Sequence, residues 1–283
     1  MNEKSRLRQA YGLVAPATIW TVAFFLVPLG IMALYSIWQR VGMKLITVPT
    51  LANYAAIVNK SYFLEGLLNS LEVTFTVTIL SILLAYPLAW ILAEKVPTRW
   101  QRLALLAAVL PFWTSYVVRS YSWLLVLSDG GVISNFLLDI GLTQEGISLA
   151  NSRTATVIGF VHFFAMLLTL TIYANLVQLP KSYIKAAQDL GAGPFRTFIH
   201  VVLPLTLPGI MVGAFLTFVL CIGDYITPQI LGGNKELLLP QTLMLQIQRK
   251  SDFPMASAIA MVLMAVVTIA YAACARWLKL ERA

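Results

Sequence analysis

Three ionisable residues, Glu72, Arg119 and Asp224, stand in stretches that are otherwise almost wholly apolar. A charge at bilayer depth costs about 2.5–3.5 kcal/mol on insertion scales, so such groups normally face a bundle interior or a watery cavity. Rings surround them: Trp113, Tyr116, Tyr121 and Trp123 flank Arg119, and Tyr225 follows Asp224. Trp113, Tyr116 and Trp123 recur at offsets of 3 and 10, which places them on one face of a continuous helix, with Tyr121 further around. Aromatic faces attract ammonium groups by about 0.5–2 kcal/mol, and Asp224 adds negative charge. The chemistry is that of a pathway for an organic cation, held weakly enough to move on. A structural reading stands beside it. Arg119 pairs with a carboxylate to hold helices together, Glu72 rests in the headgroup region, and the rings pack helices or form an interfacial belt.

These residues must be positioned by membrane-spanning helices. Of 283 residues, 59% are hydrophobic and 11% charged, against about 25% charged in a soluble domain. The mean hydropathy is +0.80. That composition excludes disorder, a disulfide-rich secreted domain and a soluble enzyme, and leaves an all-α polytopic membrane protein. A spanning helix needs about 20 mostly apolar residues. Six stretches qualify: Gly12–Trp38, Leu68–Ala93, Leu103–Leu127, Thr154–Leu179, Val202–Ile226 and Met255–Trp277. The first is too long for the apolar region of a cleaved signal peptide. The chain reads as a single transmembrane domain over 1–283, with an N-terminal span and outer loop over 1–67 and a helical core over 68–280. Apolar residues such as Ile133, Phe136, Leu137 and Leu138 give the outer loops the means to form short surface helices.

The net charge of +8 is a topology signal. Lys4, Arg6 and Arg8, Lys95, Arg99 and Arg102, Lys181, Lys185 and Arg196, and Arg276, Lys279 and Arg282 all fall on one side of the six spans. The other side holds the smaller set Arg40, Lys44, Lys60, Arg153, Lys235, Arg249 and Lys250. The more basic side is cytoplasmic, so both termini are expected there, and no nucleic-acid partner is needed to explain the charge. Cys221 and Cys274 lie in apolar runs and make neither a zinc site nor a disulfide framework; no metal site is expected.

Enzyme motifs are missing. His162 is followed by Phe163 and Phe164, so there is no zinc-binding H-E-x-x-H. Gly146-Ile147-Ser148-Leu149-Ala150 fails as a nucleophile elbow, and no Gly-Lys-Ser/Thr phosphate loop occurs. Gly191-Ala192-Gly193-Pro194-Phe195-Arg196 begins like a dinucleotide fingerprint but ends in Arg and follows no strand. Energy for transport must come from another subunit or an ion gradient. No span-scale repeat supports a two-halved inverted-repeat carrier.

The loop over 179–204 carries the sharpest pattern. Pro180 and Ser182 can start a helix and Gly191 can end it. The result is a helix of two to three turns, too short to stand alone, which must dock on something. Tyr183, Ile184, Ala187 and Leu190 fall near one face, and a second short helix is expected from Pro194 to about Val202. Lys185-Ala186-Ala187, then Gly191, then Val201-Val202-Leu203-Pro204 match the spacing of Glu-Ala-Ala, three residues, Gly, nine residues, Ile-x-Leu-Pro. This loop resembles the EAA loop of ABC importer permeases. Lys185 stands where that pattern has Glu, which removes a carboxylate, and Val201 replaces Ile conservatively.

Two further stretches, Pro111–Trp123 with Gly130–Asn135, and Gly223–Gly233, resemble the third span and the end of the fifth span of spermidine/putrescine permeases. The resemblance covers most of Leu68–Leu280 and is closer to the first permease subunit of such systems than to the second. It implies a type I importer permease fold in a bacterial inner membrane. It also implies a second, homologous permease, two ATP-binding subunits that hold ATP and Mg, and an external solute-binding protein. The solute implied is a polyamine, or another small organic solute carried by related importers. Coupling to the ATPase would fall to Tyr183, Lys185, Ala186, Ala187, Asp189, Leu190, Gly191 and Pro194. The pathway would fall to Glu72, Trp113, Tyr116, Arg119, Tyr121, Trp123, Asp224 and Tyr225. An ion-coupled transporter using Glu72 and Asp224, and a membrane scaffold, are the rival readings.

Overall fold

The computed structural model of the chain describes residues 3–233 and 237–278, with side chains over 12–233 and 237–275. Lys235, Lys279 and Arg282 of the charge count lie outside the described residues. So do the side chains of Lys4, Arg6, Arg8 and Arg276. The chain divides into two compact units, one of residues 1–64 and 243–264, the other of residues 65–242 and 265–283. The first unit thus takes in part of the last span as well as the N-terminal one.

In the first unit, α1 (Glu3–Thr21) and α2 (Val27–Ser36) run on through a wide turn at Val22–Leu26. A hairpin follows, β1 (Gln39–Val41) against β2 (Lys44–Ile46), with Arg40 opposite Leu45. Gly42 makes the turn at φ +62°, a conformation without steric cost only for glycine. Next comes α3 (Ala52–Asn59), tied down by Asn53, whose Nδ2 donates to the Ser36 carbonyl at 3.0 Å and the Trp38 carbonyl at 2.6 Å.

The second unit is built on α4 (Ser61–Trp90), α8 (Arg153–Gln178) and α11 (Leu203–Gly223), the long helices named here in full although α4 begins in the first unit. Ala85, Tyr86 and Ala89 of α4, Leu168, Ile172 and Leu176 of α8, and Ile210 of α11 form one buried cluster. Val73, Val77, Phe160, Phe164 and Cys221 form another. Small residues let α8 and α11 approach: a Cβ at Gly209 would run into the Asn175 amide, and one at Gly213 would lie 2.6 Å from Thr171 Oγ1. Without a hydrophobic drive between helices in lipid, such close packing is what holds spans together.

Among the described residues, six helical stretches are long and apolar enough to cross a membrane: Gly12–Ser36, Ser61–Lys95, Tyr116–Asp139, Arg153–Gln178, Pro194–Gly223 and Phe253–Ala275. The third differs from the sequence expectation. Leu103–Leu127 is not one helix but α5 (Thr98–Val109), a 3₁₀ turn at Leu110–Trp113 and α6 (Tyr116–Leu127). Pro111 has no N–H to continue α5, and Thr114 turns extended at ψ 148°, its hydroxyl donating to the Pro111 carbonyl at 2.7 Å. After α6 the chain turns and forms α7 (Val132–Asp139), which closes the third of these stretches.

Candidate functional site

α6 starts at Tyr116, immediately after that break, and packs on α8 and on α12 (Ile226–Leu231). α11 stops at Gly223 and Asp224 is extended, with ψ 130°. The first N–H groups of a new helix have no partner of their own, and Asp224 supplies one. Its Oδ1 accepts from Ile226 N at 2.8 Å and its Oδ2 from Thr227 N at 3.4 Å, the local turn that aspartate side chains favour. Oδ2 also accepts from the Tyr116 hydroxyl, which in turn accepts from Thr227 Oγ1 at 2.6 Å. The carboxylate is thereby engaged on both oxygens and joins α6 to the start of α12.

Arg119 lies nearly one turn along α6 and is 8% exposed. Its guanidinium carbon is 4.8 Å from the centroid of Phe163 and 5.8 Å from that of Tyr116. Nη2 donates to the Thr114 carbonyl at 3.0 Å. Nε and Nη1 are buried with no hydrogen-bond partner among the described residues. The carboxylate pairing of the structural reading is not made with Asp224, which is taken up by Tyr116, Ile226 and Thr227. Further along, Trp123 Nε1 donates to His162 Nδ1 at 3.2 Å, their rings 5.5 Å apart.

Tyr116, Arg119 and Trp123 therefore face α8 together, and Tyr116 brings Asp224 to them. Tyr225 sits half-buried beside Asp224. Trp113 does not share this face. It lies in the 3₁₀ turn, 77% exposed, because the break at Thr114–Ser115 destroys the helical phase on which the expected alignment rested. Tyr121 is also exposed, on the far side of α6. Glu72 stands apart, its Oε2 2.8 Å from Arg153 Nη1, while Arg153 Nη2 donates to Asn69 Oδ1 at 2.6 Å. Phe163, His162 and Thr227 were missed. Thr227, three residues after Asp224, carried a readable signal in its position at the start of a helix; Phe163 was one aromatic among many.

The loop after α8 holds α9 (Lys181–Asp189) and α10 (Pro194–Thr197). α9 ends as Gly191 takes φ +82° while Ala192 N donates to the Ala187 carbonyl at 3.0 Å, a left-handed glycine stop. The second short helix is not separate. α10 continues through a wide turn at Phe198–Val202 into α11, so the loop is rigidly attached to the fifth span. Phe198 meets Tyr86 and Trp90 of α4 edge-on at 5.5 and 5.8 Å. The face expected of α9 is divided. Ile184 packs on the α4–α8–α11 core and Ala187 is half-buried, whereas Tyr183, Lys185, Ala186, Asp189, Leu190, Gly191 and Pro194 are exposed, Leu190 at 89%.

The family model for the binding-protein-dependent transport system inner membrane component matches residues 19–279. The chain belongs to this family. Members are permease subunits rather than ATPases, which agrees with the missing phosphate loop. The chain is 35% identical over 211 residues to the spermidine/putrescine transport system permease protein PotB of Salmonella typhimurium (strain SL1344), covering 75% of this chain and 73% of that one. It is 31% identical over 256 residues to PotB of Haemophilus influenzae, covering 89% of each. Among solved structures it superposes with a TM-score of 0.76, at 16% identity and over 97% and 96% of the two chains, on the bacterial alginate ABC transporter in complex with its alginate pentasaccharide-bound periplasmic protein. The fold is that of a type I ABC importer permease.

Proposed function

We propose that this permease is one membrane-spanning subunit of an ATP-driven importer of spermidine/putrescine-type polyamines. The observation that carries the reading is identity of 31–35% with PotB permeases over three quarters or more of the chain. Family membership sets aside the ion-coupled carrier and the scaffold. In this reading a second, homologous permease completes the pathway, two cytoplasmic ATP-binding subunits hold ATP and Mg, and an external solute-binding protein delivers the solute. Both termini lie in the cytoplasm.

The loop is the transmission element. Closure of the ATPase pair moves α9 through Tyr183, Lys185, Ala186, Asp189, Leu190, Gly191 and Pro194, with Ala187 and Ile184 passing the force to the spans. Because α10 is continuous with α11, displacement at the loop tilts the fifth span and the break at Asp224, alternating access between the two sides. Tyr116, Trp123 and Tyr225 offer rings, and Asp224 charge, along the pathway; Glu72, Trp113 and Tyr121 stand at its margins. A related importer of another small organic solute is the second reading, favoured by the buried positive charge of Arg119, which repels a passing cation.

The test is ATP-dependent uptake of radiolabelled spermidine and putrescine into vesicles holding the permease, its partner permease, the ATPase and the binding protein. Uptake with stimulated ATPase activity is expected. Stimulated hydrolysis without polyamine uptake would leave the importer and overturn the polyamine.

A further inference from the structure

Arg119 borders a cavity of about 230 Å³ lined also by Thr114, Val118, Ser122, Trp123 and His162. All but Thr114 and His162 lie on α6, and His162 comes from α8, so the site is framed by two helices of one unit. The walls are largely apolar, yet the guanidinium at their edge has two nitrogens without a hydrogen-bond partner among the described residues. Stacking on Phe163 and Tyr116 offsets part of its desolvation, but a ring face accepts no N–H in the plane of the guanidinium. A buried charge left without its hydrogen bonds is strongly destabilising. Asp224, the carboxylate that Tyr116 holds beside this face, is already engaged by Tyr116, Ile226 and Thr227.

We infer that Arg119 is a receptor for a carboxylate supplied from outside this chain. The Nη2 hydrogen not used by Thr114 can combine with Nη1 or with Nε to offer a two-point fork, the geometry that matches a planar carboxylate. The apolar walls and the Trp123 ring accept the short hydrocarbon that carries it. Two sources share this chemistry: a carboxylate on a small solute, and an Asp or Glu side chain of the second permease seated over the cavity at Val118, which lines it and is uncovered in this chain. The inference rests on the reading of the chain as a subunit of an assembled importer and is independent of the polyamine.

The test uses the complete transporter in lipid nanodiscs. The first arm measures binding of butyrate by ligand-observed NMR, with butyramide as the uncharged isostere. A solute source gives butyrate binding that weakens about tenfold or more in Arg119→Gln and is partly kept in Arg119→Lys, with no binding of butyramide. The second arm measures assembly. A source in the second permease gives no butyrate binding, loss of assembly in Arg119→Glu, and its restoration by an Asp→Arg or Glu→Arg change in that permease. The inference is overturned if butyrate fails to bind while Arg119→Gln, Arg119→Met and Arg119→Glu all assemble and transport like the parent. Polyamine uptake by the unmutated complex is scored separately, so failure of the solute assignment and failure of the carboxylate site are read on different measurements.

Discussion

Asp224 decides between two pictures of the pathway, and a mutant cycle separates them. If the carboxylate served only a passing cation, Asp224→Asn would alter uptake and leave stability alone. The structure instead gives Asp224 three donors: the Tyr116 hydroxyl, Ile226 N at 2.8 Å and Thr227 N at 3.4 Å. Asn keeps an acceptor for the helix start, where Asp and Asn serve about equally. What it loses is the charge-assisted bond from Tyr116, of a kind worth about 1.5–3 kcal/mol. Allowing for the amide accepting that hydroxyl more weakly, Asp224→Asn should destabilise by about 1–2 kcal/mol. Asp224→Ala also removes the turn and strands the Tyr116 hydroxyl, so about 2–4 kcal/mol is expected. Tyr116→Phe removes the same bond from the other side. The double variant Tyr116→Phe with Asp224→Asn should therefore cost less than the sum of the singles, with a coupling of about 1–2 kcal/mol. The assay is equilibrium unfolding of the assembled permease in nanodiscs, with polyamine uptake measured in parallel. Additive single effects would refute the argument that Asp224 latches α6 to α12.

At the loop, Leu190→Asp should leave the permease folded and inserted while uncoupling ATP hydrolysis from uptake, whereas Ile184→Asp should lower the amount of folded protein because that side chain packs inward; ATPase and uptake assays with membrane-level quantification distinguish the two. Ala187→Glu should act partly through the same internal packing, since Ala187 is half-buried. Gly159→Leu should wedge α12 from α8, because even a Cβ would meet the tip of Leu231 and lie 3.3 Å from Thr227; overpacking of this kind costs about 1–3 kcal/mol and should appear as a lower Tm. Glu72→Gln should change stability by no more than about 1 kcal/mol, because its partner Arg153 holds it in an exposed pair; a large loss of uptake would instead return Glu72 to the pathway.

The helix content and the six spans were legible in the sequence because lipid demands long apolar helices with internally satisfied backbones. The loop over 179–204 was legible because Pro180, Gly191 and Pro194 are local punctuation whose meaning does not depend on distant contacts. Gly223 and Pro228 bracket Asp224 as punctuation of the same local kind, where α11 ends and α12 begins. The third span was misjudged at the same kind of punctuation. Hydropathy ran straight through Pro111, so Trp113 was counted on the face of Tyr116 and Trp123.

Which partner each polar group takes was decided only by tertiary structure. Asp224 and Arg119 are of opposite charge and stand in or beside apolar runs, and that composition invites a pair. The direction of α6 after its break turns Tyr116, not Arg119, toward Asp224, and puts Arg119 against Phe163 of α8. Likewise the period of α9 groups Ile184 with Tyr183 and Leu190, but the side on which α9 meets the α4–α8–α11 core half-buries the first and exposes the others. Periodicity fixes which residues share a helix face; which face meets a neighbour depends on where other helices pack, and those lie too far along the chain for local spacing to record.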